Sequence, residues 1–165
     1  MSRTPITQQR SQRDGATETA SQQFVTAVVG GQLCGIPVLK VQDVIRVQRI
    51  TRIPLAPNEI AGSLNLRGRI VTAIDMRIRL GLPKSTGRSR DMSIVVEHHG
   101  DLYSLMVDSV GEVLDLSPAA FERTPATIDL LWRSVSEGVY RLEKGLLVVL
   151  DVEALLKIGG AKEAA

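Results

Sequence analysis

The chain carries the same pattern twice. Gly31 to Ile45 (GQLCGIPVLKVQDVI) reappears without a gap as Gly100 to Leu114 (GDLYSLMVDSVGEVL), an offset of 69 residues (100 − 31). Gly62 to Asp75 (GSLNLRGRIVTAID) reappears as Gly138 to Asp151 (GVYRLEKGLLVVLD), an offset of 76 (138 − 62). A repeat this long is not a solenoid period, and it predicts two similar small units packed as a pseudo-symmetric pair. In 165 residues those units must share a core or hold two small ones. Only 3% of the residues are aromatic against 44% hydrophobic, so Val, Ile and Leu fill that core, and these types favour pleated surfaces.

The turn chemistry agrees with a β architecture. Phe24–Val29 and Gln32–Pro37 are strand-like runs around Gly30-Gly31, and Ser93–Glu97 and Leu102–Val107 repeat them around His98-His99-Gly100-Asp101. Ser63–Leu66 and Arg69–Ile74 form a further hairpin through Gly68, and Gly138–Leu142 with Leu146–Leu150 repeat it. Val38, Val41, Val44 and Ile45 allow a short helical turn leading into a strand. Asn58 is placed to cap a brief helix through Ala61, and further short helices are predicted over Met76–Leu80, Ile128–Val135 and Asp151–Ile158. Residues 1–22 read as a polar disordered tail, 84–90 as the connector between halves, and 159–165 as a frayed end.

Charge and cysteine usage narrow the function. The net charge of +2 calls for no polyanionic partner, and a single cysteine excludes an internal disulfide. Cys34 reads as a small buried filler rather than a reactive thiol. No apolar run approaches the ~20 residues of a membrane span, and no signal-sequence core is present, so a cytoplasmic protein without direct membrane insertion is expected.

Signals of catalysis are sparse. His98 and His99 are neighbours at a hairpin tip, and with one cysteine and no other histidine a zinc site would need several carboxylates, so no metal and no cofactor is expected. Asp75 and Asp151 occupy equivalent positions and form either a carboxylate pair or, better, two helix N-caps ahead of apolar segments. Asp108 and Glu112 read as surface charges. No catalytic residue is named.

Arg67, Arg69, Arg77, Arg79, Arg88 and Arg90 cluster in one stretch, which raises the alternative of a small β-barrel that binds nucleic acid. No aromatic falls among them to stack bases, and solvated surface charges are the plainer reading. Arg67 stands apart because it directly precedes Gly68 at a tight turn. There its five-donor fork is either a surface turn residue or a recognition group for carboxylates or carbonyls.

Asn65-Leu66-Arg67-Gly68-Arg69-Ile70-Val71 followed by Ile74-Asp75-Met76-Arg77 resembles the central signature of the CheW-like domain family. So do Ile36–Ile45, Thr51-Arg52-Ile53-Pro54 with Ala56-Pro57, Val107–Leu114 and Leu147–Leu156, and the similarity spans about residues 23–158. The resemblance implies an all-β fold of two intertwined five-stranded SH3-like barrels with a few short helices. It also implies an adaptor without catalysis, which binds the cytoplasmic tip of methyl-accepting chemoreceptors and the regulatory domain of the CheA histidine kinase. A receptor helix would lie in a groove between the lobes. Receptor-binding positions carried over are Val41, Asp43, Gly62, Arg67 and Val113. Kinase contact is expected near Ile94, Leu105 and Gly138. Val41 and Val113 are equally open to a core reading.

Overall fold

The computed structural model describes residues 21–47, 49–83 and 92–158. The expected tail, except residues 21 and 22, lies outside them, as do the connector and the C-terminal end; Gln22 already belongs to the first strand. The first repeat contributes β1 (Gln22–Val29), β2 (Gln32–Pro37), a 3-10 turn at Val38–Lys40, β3 (Val41–Arg46), β4 (Ile60–Leu66), β5 (Arg69–Asp75) and α1 (Met76–Arg79). The second contributes β6 (Met92–His98), β7 (Asp101–Val107), β8 (Ser109–Leu116), a 3-10 turn at Pro118–Ala120, α2 (Leu130–Ser134), β9 (Ser136–Leu142), β10 (Gly145–Leu150) and α3 (Val152–Leu155).

The strands form two five-stranded sheets, ordered β9-β10-β2-β1-β8 and β3-β6-β7-β5-β4. Neither sheet is made from one repeat. Each takes the leading hairpin of one repeat and the last three strands of the other, which is the intertwining expected from the resemblance. The exchange preserves register. Val148 and Val149 run parallel beside Cys34 and Gly35, and at the same offsets Thr72 and Ala73 run parallel beside Tyr103 and Ser104. Irregularities repeat too, with bulges between Val41 and Asp43 and, on the other side, between Val25 and Ala27. Lone bridges join Thr51 to Ser63 and Glu122 to Val139.

Three hairpin turns have the backbone a two-residue connection demands. Gly30-Gly31, Arg67-Gly68 and His99-Gly100 have φ of 60° and 84°, 49° and 85°, and 54° and 85°. Asp75 and Asp151 are the helix caps that their positions predict. The Asp75 carboxylate accepts from the Arg77 and Ile78 amides, and Asp151 accepts from Ala154. The helices themselves are shorter than the sequence predicts.

One expected element is absent. Asn58 starts no helix; the chain turns at Pro57 and enters β4 at Ile60, where Ala61 and Gly62 are already strand. Pairing with β5 and with Thr51 outweighs the local cap signal.

Hydrophobic side chains segregate into three clusters. The largest lies between the sheets and draws on both, including Val25, Cys34, Ile74, Ile94, Leu105, Val148 and Leu155. Smaller ones fill each lobe, around Phe24, Tyr140, Leu147 and Val149 in the first and Val71, Val95 and Leu102 in the second. Cys34 is fully buried in the central cluster, and burial pushes its thiol up to about 12, so no nucleophilic thiolate exists there at neutral pH.

Candidate functional site: the Arg67 hairpin and the lobe edges

Arg67 sits at the first turn position between β4 and β5, held in the left-handed region that a non-glycine residue rarely adopts. The turn is fixed from within, because the Gly68 amide donates to Asn65 Oδ1 at 3.0 Å. From that tip the guanidinium Nη2 donates to Asp43 Oδ2 at 2.8 Å, and the other carboxylate oxygen accepts from the Val44 amide at 2.9 Å. Two positions read separately from the sequence are thus one ion pair that ties the hairpin to the edge strand β3. Its arginine remains 73% exposed, so water screens the pair, and an ion pair of this kind contributes about 0–1 kcal/mol. It aims the guanidinium more than it holds the fold.

Beneath the pair runs a furrow of about 420 Å³ between β3 and β4, lined by Ile45, Val47, Leu64, Leu66, Arg46 and Arg49. Val44 on β3 and Ile70 on β5 are exposed apolar residues of the same sheet. The sheets' facing sides are filled by the central core, and the furrow beside Arg67 lies on the second lobe.

The other expected receptor positions are dispersed. Val41 is half-buried and packs on the central core. Its neighbour Val44 is the exposed valine of β3, and the repeat register makes Val44, not Val41, the counterpart of Val113, which is 52% exposed on β8 of the other sheet. Gly62 is buried, with φ of +148°, and a Cβ there would collide with the Thr51 carbonyl and come within 2.6 Å of Ile50. Its role is to let the chain cross closely.

The expected kinase positions are interior. Ile94 and Leu105 are opposite each other on β6 and β7, and neither has exposed surface. Gly138 lies in the other sheet, packed under Phe121 and Glu122. None of the three offers a side chain to a partner. Sequence reading missed Val44 and Ile70 as exposed apolar residues, and alternation along β3 is the only signal that could have found the first.

Two members of the arginine cluster, Arg77 and Arg79, are engaged within the molecule. Arg77 grips Asp108 with two bonds, Nε to Oδ1 and Nη2 to Oδ2, both 2.9 Å. Asp108 Oδ2 also accepts from the Gly30 amide, so this residue, read as a surface charge, is a junction between α1 and the first hairpin. Arg79 donates to the carbonyls of Ala154, Leu155 and Lys157, closing the C-terminal end of α3. Partial burial lowers its pKa. Arg69 donates to the Gly100 carbonyl, while positions 88 and 90 fall outside the described residues. The electrostatic groove that a nucleic-acid binder requires is not assembled from these described arginines.

His98 and His99 do meet at the hairpin tip, with ring centroids 4.0 Å apart. Among the described residues, no three His, Cys, Asp or Glu side chains come together as a metal site would need.

Comparison with known proteins agrees with the geometry. The family model described as the CheW-like domain matches residues 23–159. The chemotaxis protein CheW of Klebsiella aerogenes is 31% identical over 141 residues, covering 86% of this chain and 85% of that protein. Protein PilI of Pseudomonas aeruginosa is 27% identical over 120 residues, covering 73% and 67%. Among solved structures, the scaffolding protein TtCheW of Thermoanaerobacter tengcongensis superposes with a TM-score of 0.75 at 29% identity, over 85% of this chain and 95% of that one. With its exchanged five-stranded lobes and its Asn65–Val71 hairpin, the chain belongs to the CheW-like domain family.

Proposed function

We propose that the chain is a non-catalytic adaptor of chemotaxis signalling, which couples chemoreceptors to the CheA histidine kinase from the cytoplasmic side of the membrane. The observation that carries this reading is the family match across residues 23–159, which leaves none of the described strands unaccounted for. No observation favours the nucleic-acid alternative.

Receptor contact centres on the Arg67 hairpin. Because the Arg67–Asp43 pair is exposed, the guanidinium can exchange Asp43 for a partner carboxylate or carbonyl at little net cost, and its planar fork sets the partner's orientation. Val44 and Ile70, and Val113 on the other sheet, supply apolar surface for a helical tip. Asp43 and Gly62 act one step back, the first by aiming Arg67 and the second by holding β4 in register. Kinase contact falls to exposed residues on the strands that Ile94, Leu105 and Gly138 support from within.

Arg67→Glu is expected to weaken binding of a receptor-tip hairpin about tenfold while the melting temperature stays within about 2 °C of wild type, since the pair lost is exposed and the like-charge contact with Asp43 that replaces it is screened by water. Titration calorimetry beside a thermal melt reads both quantities. Unchanged affinity would remove Arg67 from the receptor interface.

A further inference from the structure

The two lobes are related by register, but their open edges differ in charge. In the second lobe the positions beside the furrow are Asp43 and Arg67, which neutralise each other, and the described residues lining the furrow include Arg46 and Arg49. The repeat offsets place Glu112 where Asp43 stands and Glu143 where Arg67 stands. The first lobe therefore carries two carboxylates in place of an ion pair, and neither side chain has a hydrogen-bond or ion-pair partner among the described residues.

Those two glutamates rim a groove of about 600 Å³ between β8 and the β9–β10 turn, with Lys144 the only base among the described residues that line it. The floor is apolar, formed by Leu33, Leu114, Leu116 and Leu142, which also pack on the lobe's own cluster around Phe24 and Tyr140. Apolar floors rimmed by charge mark places where other chains dock. The sign of the rim decides which chains: a segment with acidic flanks meets repulsion, a neutral one leaves both carboxylates unmatched, and a basic one satisfies them. The whole molecule does not attract cations, since its net charge is +2, so any preference for a basic segment must be local to this groove.

We propose that this groove of the first lobe is a docking site for a partner segment that combines apolar side chains with Lys or Arg, separate from the Arg67 hairpin. The leucines take the apolar side chains, and Glu112 and Glu143 select the charge and fix the direction in which the segment lies. The site does not depend on the receptor reading, because no residue of the Arg67 hairpin contributes to it.

Two synthetic peptides with one leucine pattern, one carrying Arg and the other Glu at the intervening positions, are titrated into the full chain while methyl resonances are followed. The Arg peptide is expected to shift Leu33, Leu114, Leu116 and Leu142. Glu112→Lys with Glu143→Lys weakens it about tenfold, and Arg67→Glu changes it by less than about twofold. Equal responses to the two peptides, shifts elsewhere on the surface, or full affinity in the double variant would overturn the proposal. Should the double variant fail to fold, Glu143→Gln provides the same comparison, with a loss of about threefold expected and none contradicting the site.

Discussion

Gly62→Val is expected to destabilise the protein by about 3–5 kcal/mol, a larger loss than most single substitutions produce. Two costs combine. A branched side chain cannot adopt the backbone found at φ of +148° without strain, and its Cβ would meet the Thr51 carbonyl, which is backbone and cannot swing aside. That carbonyl accepts from the Ser63 amide, while the Thr51 amide donates to the Ser63 carbonyl, both at 2.8 Å. Displacing it therefore breaks the bridge that brings the 50s segment onto β4, directly behind the Arg67 hairpin. Urea unfolding gives the loss from the midpoint. A variant as stable as wild type would mean that the close crossing at Gly62 is not part of the fold.

Leu105→Ala should cost about 3 kcal/mol, in the range found when a buried leucine is truncated and the surroundings collapse only partly. Leu105 has no exposed surface and lies opposite Ile94 in the cluster shared by both sheets. The same substitution separates two roles. If Leu105 only supports its sheet, the folded fraction of Leu105→Ala binds the kinase regulatory domain with wild-type affinity. A loss of affinity in protein that is still folded would give Leu105 a direct role after all. Calorimetric titration well below the melting temperature distinguishes the outcomes.

The sequence made the pairing of the lobes readable through its offsets. The registers of β2 with β10 and of β7 with β5 reproduce those offsets residue for residue. Turn and cap positions were equally legible, because Gly30-Gly31, Arg67-Gly68, Asp75 and Asp151 act through local backbone geometry. What stayed hidden depends on distant partners. Nothing near Arg77 in the chain announces Asp108, 31 residues away, or near Arg79 the carbonyls of α3, so six arginines in a row of sequence looked like one surface. The facing of β3 was hidden differently. Strict alternation would put Val41, Asp43 and Ile45 on one side, but the bulge between Val41 and Asp43 breaks it: Val41 packs on the central core and Ile45 on the second lobe's own cluster, and only the pairing with β6 shows where the bulge falls. Asn58 misled for a similar reason, since its cap signal competes with a strand pairing set by β5.

The site itself was half legible. Arg67 and Asp43 were both singled out, yet their ion pair follows from the β4–β5 tip folding back onto an edge strand, which no local pattern encodes. The inversion of charge between lobes was present in the repeat alignment as Glu112 and Glu143, but it has meaning only once both residues are seen on one rim.

Reconstitution shows whether the chain couples a receptor to the kinase. Membranes bearing a chemoreceptor from the protein's own cell are combined with the cognate histidine kinase, with or without the chain, and kinase autophosphorylation is followed as receptor ligand is added. The rate is expected to respond to the ligand only when the chain is present, and Arg67→Glu protein is expected not to restore the response. A ligand response of the same size without the chain would contradict the coupling role.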